Sequence, residues 1–134
     1  MEFGNILKPG TKGVKEERVT DANVARFYGS GGLPVYATPA MAALMERAAV
    51  DAVDKLLPEG WSTVGTELAV KHLAPTPPGM LVRASAELVE VDGRRLEFRV
   101  EAGDGLEKIG EGTHQRFIIN NKKFIEKAEK KRDN

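Results

Sequence analysis

Between Thr38 and Leu57, apolar residues recur at Met41, Leu44, Met45, Ala48, Ala49, Ala52, Val53, Leu56 and Leu57. This i, i+3, i+4, i+7 rhythm predicts one long helix with a single buried stripe. Thr38 predicts its N-cap and Pro39 its first helical position, where proline is tolerated. Pro58 and Gly60 end it. A helix of this length gains its stability from packing rather than from propensity, so the rest of the chain must supply a large apolar surface.

The second half supplies it. Ser62 to Ala74 alternates, PTPPG breaks the chain, and Met80 to Val91 alternates again with Val82, Ala84, Ala86 and Leu88 on one face. Asp92-Gly93 and Asp104-Gly105 are hairpin turns around Arg95 to Ala102, in which Leu96, Phe98, Val100 and Ala102 point one way. Leu106 to Ile119 follows, and slips of phase near Leu88/Val89 and Ile109/Gly110 predict bulges. With Lys8 to Thr20 as an edge strand, the pattern is α+β: a long helix packed on an antiparallel sheet of about five strands. The glycine cluster ending Asp21–Pro34 reads as a loop or as a lid-like connection, the lid-like segment spanning 21–37. Residues 120–134 form a solvated, basic C-terminal tail.

At 134 residues the chain fits one domain, 1–134, with 41% hydrophobic and 30% charged residues. Twenty basic side chains balance twenty acidic ones, and no net field draws the chain to nucleic acid or to an anionic membrane. No run reaches membrane-spanning length, and the expected location is the cytoplasm. Without cysteine and with two histidines, His72 and His114, a metal site of thiolates or imidazoles is not expected.

Three residues fit the structural pattern poorly. On a helical wheel Arg47, Asp51 and Asp54 share the polar side, whereas Glu46 falls at the edge of the apolar stripe. Burial there perturbs a carboxylate unless a partner stabilises it; an exposed flank position or an ion pair with a sheet arginine are the plainer readings. In a regular strand His72 shares a face with Val64, Thr66, Leu68 and Val70, as a core histidine or, at the strand end before Pro75-Thr76-Pro77-Pro78, as a catalyst beside a pocket mouth. Thr38 either caps the helix or stands at a positive dipole end suited to a developing oxyanion. Thr38 and Glu46 lie eight residues apart, about 12 Å along a helix axis. His114 reads as structural or surface, and Arg116 as an exposed strand arginine or a bidentate anion ligand.

Together the stretches VYATPAMAALMERAAVDAV (Val35–Val53), GTELAVKHLAPTPPG (Gly65–Gly79) and VDGRRLEFRVEAGDGLEKIGEGTHQR (Val91–Arg116) resemble the hot-dog-fold thioesterases related to fluoroacetyl-CoA thioesterase. The resemblance runs from about Val35 to Phe124, and its most specific parts are APTPPG and the final GTHxR. It implies a hot-dog fold and hydrolysis of an acyl-CoA thioester, of short acyl chain, to a carboxylate and free CoA. It implies a catalytic set of Thr38, Glu46 and His72, with Gly65 and Arg116 contacting substrate, Arg116 toward the pantetheine or phosphate end. It implies no metal or redox cofactor, CoA being part of the substrate, and a homodimer or dimer of dimers with its sites at the subunit interface.

One departure limits the resemblance. The fluoroacetate-specific family member carries phenylalanines before the helix, whereas this chain has Gly29-Ser30-Gly31-Gly32-Leu33-Pro34, with Phe27, Tyr28 and Tyr36 as the nearest aromatics. Fluorine discrimination is therefore not expected to carry over. A catalytic reading requires Glu46 and His72 to converge on one cleft near the helix's amino end, in the subunit or in its assembled pair. In a regular strand Gly65 has opposite parity to His72, which predicts a backbone contribution. The rival from another class is a non-catalytic acyl-CoA-binding or sensing module on the same fold. A hot-dog hydratase is disfavoured, because no aspartate precedes His72 at short spacing.

Overall fold

A computed structural model describes residues 2–134. The chain runs through β1 (Lys12–Arg18), a short α1 (Ala25–Tyr28), α2 (Thr38–Val53), β2 (Trp61–His72), β3 (Leu81–Asp92), β4 (Arg95–Gly103), β5 (Lys108–Asn120) and α3 (Asn121–Arg132). The strands form one antiparallel sheet in the order β1-β3-β4-β5-β2. Helix α2 crosses one face of it, continued by a 3₁₀ turn over Asp54–Leu56 that takes up the last part of the apolar stripe. This is the hot-dog architecture, and Lys12–Arg18 is indeed an edge strand.

The core lies between α2 and the sheet. Met41, Leu44, Met45, Ala48, Ala49, Ala52 and Val53 meet Val82, Ala84, Ala86 and Leu88 of β3 and Leu96, Phe98, Val100 and Ala102 of β4, all buried. Each large side chain so buried stabilises the fold by roughly 1.5–3 kcal/mol. The helix lies close over β1: a Cβ on Gly13 would run into the backbone of Ala48 and Ala52.

Bulges fall where the alternation slips. Leu88 pairs with Phe98 and Glu90 with Glu97, leaving Val89 extra; Ala102 pairs with Gly110 and Gly103 with Lys108, leaving Ile109 extra. A third bulge is invisible to the alternation: Gly65 pairs with Arg116 and Glu67 with Gln115, leaving Thr66 extra on β2. It reverses the parity expected for Gly65. Because Arg116, His114 and Gly110 alternate without interruption on β5, their partners Gly65, Leu68 and His72 all face α2. Val64 and Thr66 therefore do not share His72's face, and Thr63 does.

Strand β2 has β5 as its one neighbour in the described sheet and leaves its other edge unpaired along twelve residues. The segment between β1 and α2 contains α1 and a bridge between Val24 and Tyr36, with bends through the glycines. Among the described residues no helix is long and apolar enough to cross a membrane.

Candidate active site

The backbone entering α2 is fixed before the helix starts. The Tyr36 N–H donates to the Thr76 carbonyl (2.8 Å) and the Ala37 N–H to the Asn23 carbonyl (2.9 Å). The N-cap is Ala37, so Thr38 is the first helical residue and Pro39 the second, one position earlier than the sequence predicts. The Thr38 hydroxyl therefore does not cap the helix. Its Oγ1 lies 2.7 Å from Nδ1 of His72, the last residue of β2. The strand end is held in turn by the Leu73 N–H on the Ile109 carbonyl (2.7 Å).

Burial pushes the His72 imidazole below its ordinary pKa, against a weaker upward pull from the backbone at Ala74. Its Nε2 is buried with no hydrogen-bond partner among the described residues. A neutral imidazole against a hydroxyl is the geometry of a base with the group it deprotonates. The pair lines a cavity of about 450 Å³, walled by Ser30–Leu33, Tyr36 and Leu73–Pro75 among others, and none of its lining residues is lysine or arginine. Tyr36 turns its hydroxyl away to Glu17 Oε2 (2.5 Å), and burial together with that carboxylate raises its pKa. Phe27 and Tyr28 are exposed, stacked edge to face on each other.

A second polar cluster surrounds Arg116, which is buried rather than exposed. Its Nε donates to Thr63 Oγ1 (2.8 Å), its Nη2 to the Thr63 carbonyl (2.9 Å) and its Nη1 to His114 Nε2 (3.1 Å). Nη1 also lies 3.7 Å from Glu46 Oε2. The Thr63 hydroxyl, accepting from Arg116, donates to Asp54 Oδ1 (2.6 Å). His114 is buried and structural, not a surface residue. Because arginine can only donate, His114 Nε2 must accept, and its protonated Nδ1 donates to the Glu67 carbonyl (2.8 Å). Burial first, then the Arg116 charge, pushes its pKa down.

Glu46 is thus the ion-pair partner of a sheet arginine, with its own side chain 44% exposed and reachable. Gly65 makes room for it: a Cβ there would come within 2.8 Å of Glu46 Oε2 and 3.3 Å of both Arg116 Nη1 and His114 Cε1. The structure accordingly joins Thr38 to His72, and Glu46 to Arg116 and Gly65, as two separate groupings in one subunit. Glu46 does not line the cavity that holds the Thr38–His72 pair. Along β2 the two groupings are about 20 Å apart, seven positions less the bulge.

Thr63 and Asp54 carry no sequence signal beyond a polar residue in a strand and one at a helix end. A further link, also silent in the sequence, braces the approach to Thr38. Buried Thr76 donates from Oγ1 to Asp104 Oδ2 (2.9 Å), while Asp104 Oδ1 accepts the Leu106 and Glu107 N–H groups, tying the β4–β5 turn to the loop that holds Tyr36.

Comparison with known proteins bears on this geometry. The family model described as fluoroacetyl-CoA-specific thioesterase matches residues 19–122. The fluoroacetyl-CoA thioesterase of Streptantibioticus cattleyicolor is 47% identical over 97 residues, 72% of this chain and 70% of that protein. A solved structure of a fluoroacetyl-CoA thioesterase superposes with a TM-score of 0.86 at 39% identity, covering 93% of this chain and 97% of the other. A thioesterase superfamily member from Thermus thermophilus gives a TM-score of 0.87 at 33% identity over 94% and 93%.

Proposed function

The chain belongs to the fluoroacetyl-CoA-specific thioesterase family, and we propose that it hydrolyses short-chain acyl-CoA thioesters through Thr38 and His72. The observation that carries this reading is the 2.7 Å contact between Thr38 Oγ1 and His72 Nδ1 at the wall of a cavity. In support, one structure of the family, similar to this chain with a TM-score of 0.87 at 37% identity, was solved with acetyl-CoA bound.

The chemistry follows from the positions. As Thr38 Oγ1 adds to the thioester carbonyl, its proton passes to His72 Nδ1. The oxyanion forms beside the start of α2, where the amides of Thr38 and Ala40 have no intrahelical partner and Pro39 has no N–H to misplace. The C–S bond breaks as the CoA sulfur takes the proton from the imidazolium. Water then adds to the acyl-threonine ester as His72 takes its proton. The C–O bond to Thr38 breaks as Oγ1 takes that proton back from the imidazolium, which releases the carboxylic acid and restores the pair. A depressed imidazole pKa suits this role, because the base is neutral at neutral pH.

Glu46 enters from a second subunit in this reading. An unpaired edge as long as β2 invites pairing with another copy. Two-fold antiparallel pairing through the strand centre sets Gly65 and Glu46 of one subunit nearer to His72 of the other than to their own. There the carboxylate, steadied by Arg116, orients the attacking water and stabilises the imidazolium. Gly65 serves this site by leaving space for Glu46, and Arg116 by positioning it. The 21–37 segment, forming one wall of the cavity, acts as its lid and sets the acyl length accepted.

The test is release of free CoA from acetyl-CoA and longer acyl-CoAs by the wild type and by T38V and H72A. Turnover that collapses in both variants supports the reading. Tight binding of acyl-CoA without turnover by the wild type would return the chain to the non-catalytic binding class.

A further inference from the structure

The lining of the cavity leaves the ligand's charge unanswered. An acyl-CoA carries a diphosphate and a 3′-phosphate, yet no lysine or arginine lines the cavity beside Thr38 and His72. Arg116 cannot fill the gap: all three of its nitrogens already bond Thr63 or His114, and it is buried beside Glu46. The required positive charge lies elsewhere in the fold.

It is concentrated on α3. Residues 121–134 hold Lys122, Lys123, Lys127, Lys130, Lys131 and Arg132 against Glu126, Glu129 and Asp133, in a chain of zero net charge. Arg132 is tied to Glu129 and Asp133, whereas the five lysines make no ion pair among the described residues. The helix is exposed along its whole length, about 18 Å. Its origin is nonetheless fixed. The Asn121 N–H donates to the Gly60 carbonyl (2.9 Å), the Ser62 hydroxyl bonds the Asn121 side chain, and Asn120 Oδ1 caps the first turn by accepting from Lys123 N–H (3.1 Å). Helix α3 therefore projects from the Trp61 end of β2, the end opposite His72.

Antiparallel two-fold pairing of β2 places the Trp61 end of one strand beside the His72 end of its mate. We infer that α3 of each subunit forms the phosphate-binding surface for the acyl-CoA held in the partner's cavity. This rests on the thioesterase reading and on the β2-edge dimer. The family model's match ends at residue 122, so the lysines from Lys123 onward lie outside it.

The experiment compares acetyl-CoA with acetyl-pantetheine, the same thioester without its phosphates. Lys122, Lys123, Lys127 and Lys130 are replaced together by Gln, which keeps helix propensity. The KM for acetyl-CoA should rise about tenfold or more, as for the loss of at least one ionic contact worth a decade of affinity. The kcat for acetyl-CoA and both constants for acetyl-pantetheine should stay unchanged. An unchanged KM for acetyl-CoA, or equal changes for both substrates, would overturn the inference. A wild type that hydrolyses neither substrate would instead refute the thioesterase reading itself. Placement in trans is read from mixed dimers of the four-lysine variant with H72A. The one competent site then has His72 from the first chain and an intact α3 from the second. A wild-type KM supports the placement, and a raised KM contradicts it.

Discussion

Thr38 Oγ1 and His72 Nδ1 meet at 2.7 Å although thirty-four residues separate them in sequence. The contact exists because α2 begins at Thr38 rather than after it, which frees the hydroxyl from capping. Replacing His72 with Ala removes the base and should lower kcat by about 10²-fold or more. T38S, which keeps the hydroxyl, should retain far more activity than T38V. Steady-state hydrolysis of acetyl-CoA measures both, and equal rates for T38S and T38V would show that the hydroxyl takes no part.

The pH dependence follows from the direction of the His72 shift. Burial lowers its pKa from 6.5, and the base acts only when neutral. Activity should therefore be level through neutrality and fall only as pH drops through a value below 6.5. A kcat/KM profile whose acidic limb lies above that value contradicts the assignment. Stability has the same sign. Both histidines are depressed, so their contribution is complete above the ordinary imidazole value and is lost as pH falls from there through the folded values. The melting temperature should decline across that window, with a shallower slope in H114Q.

Thr63 is the hinge of the Arg116 cluster, accepting from Arg116 Nε and donating to Asp54. T63V leaves a buried guanidinium N–H and a carboxylate oxygen unmatched, a loss of about 2 kcal/mol. T63S should recover most of it. Denaturant unfolding of the pair checks this, and a T63V protein as stable as wild type would mean that the cluster stabilises nothing.

Gly65 allows a cleaner separation of site from scaffold. A Cβ would press on the mobile end of Glu46 at 2.8 Å and on Arg116 and His114 at 3.3 Å. G65A should displace the carboxylate at modest cost in stability, so hydrolysis should fall by at least an order of magnitude while the melting temperature moves by a few degrees, as about 1 kcal/mol would shift it. Calorimetry beside kinetics decides it; parallel losses would make Gly65 a packing residue alone.

Much of the fold was legible because it is written in periodicity. The α2 stripe, the inward faces of β3 and β4 and two of the three bulges follow from which residues are apolar. The bulge at Thr66 is not legible, since Thr63, Gly65 and Thr66 offer no hydrophobic contrast from which to read a phase, and regular alternation gives Gly65 the wrong parity for that reason. The site was partly legible. Glu46 at the stripe's edge and His72 at the strand's end are visible in the sequence as polar groups in apolar patterns, and an ion pair to a sheet arginine is one of the roles the pattern allows Glu46. The Asp54–Thr63–Arg116–His114 chain was hidden because it is assembled from β2, β5 and a helix end whose mutual register no local pattern encodes.

The central claim, that each active site takes Thr38 and His72 from one subunit and Glu46 from the other, is tested most directly by mixing two inactive variants. H72A and E46Q, unfolded together and refolded at equal concentration, should regain about a quarter of the wild-type acetyl-CoA hydrolysis, since half the dimers are mixed and each mixed dimer holds one intact site. A mixture as inactive as its components, with mixed dimers confirmed by mass, would place all three residues in one subunit and contradict the account.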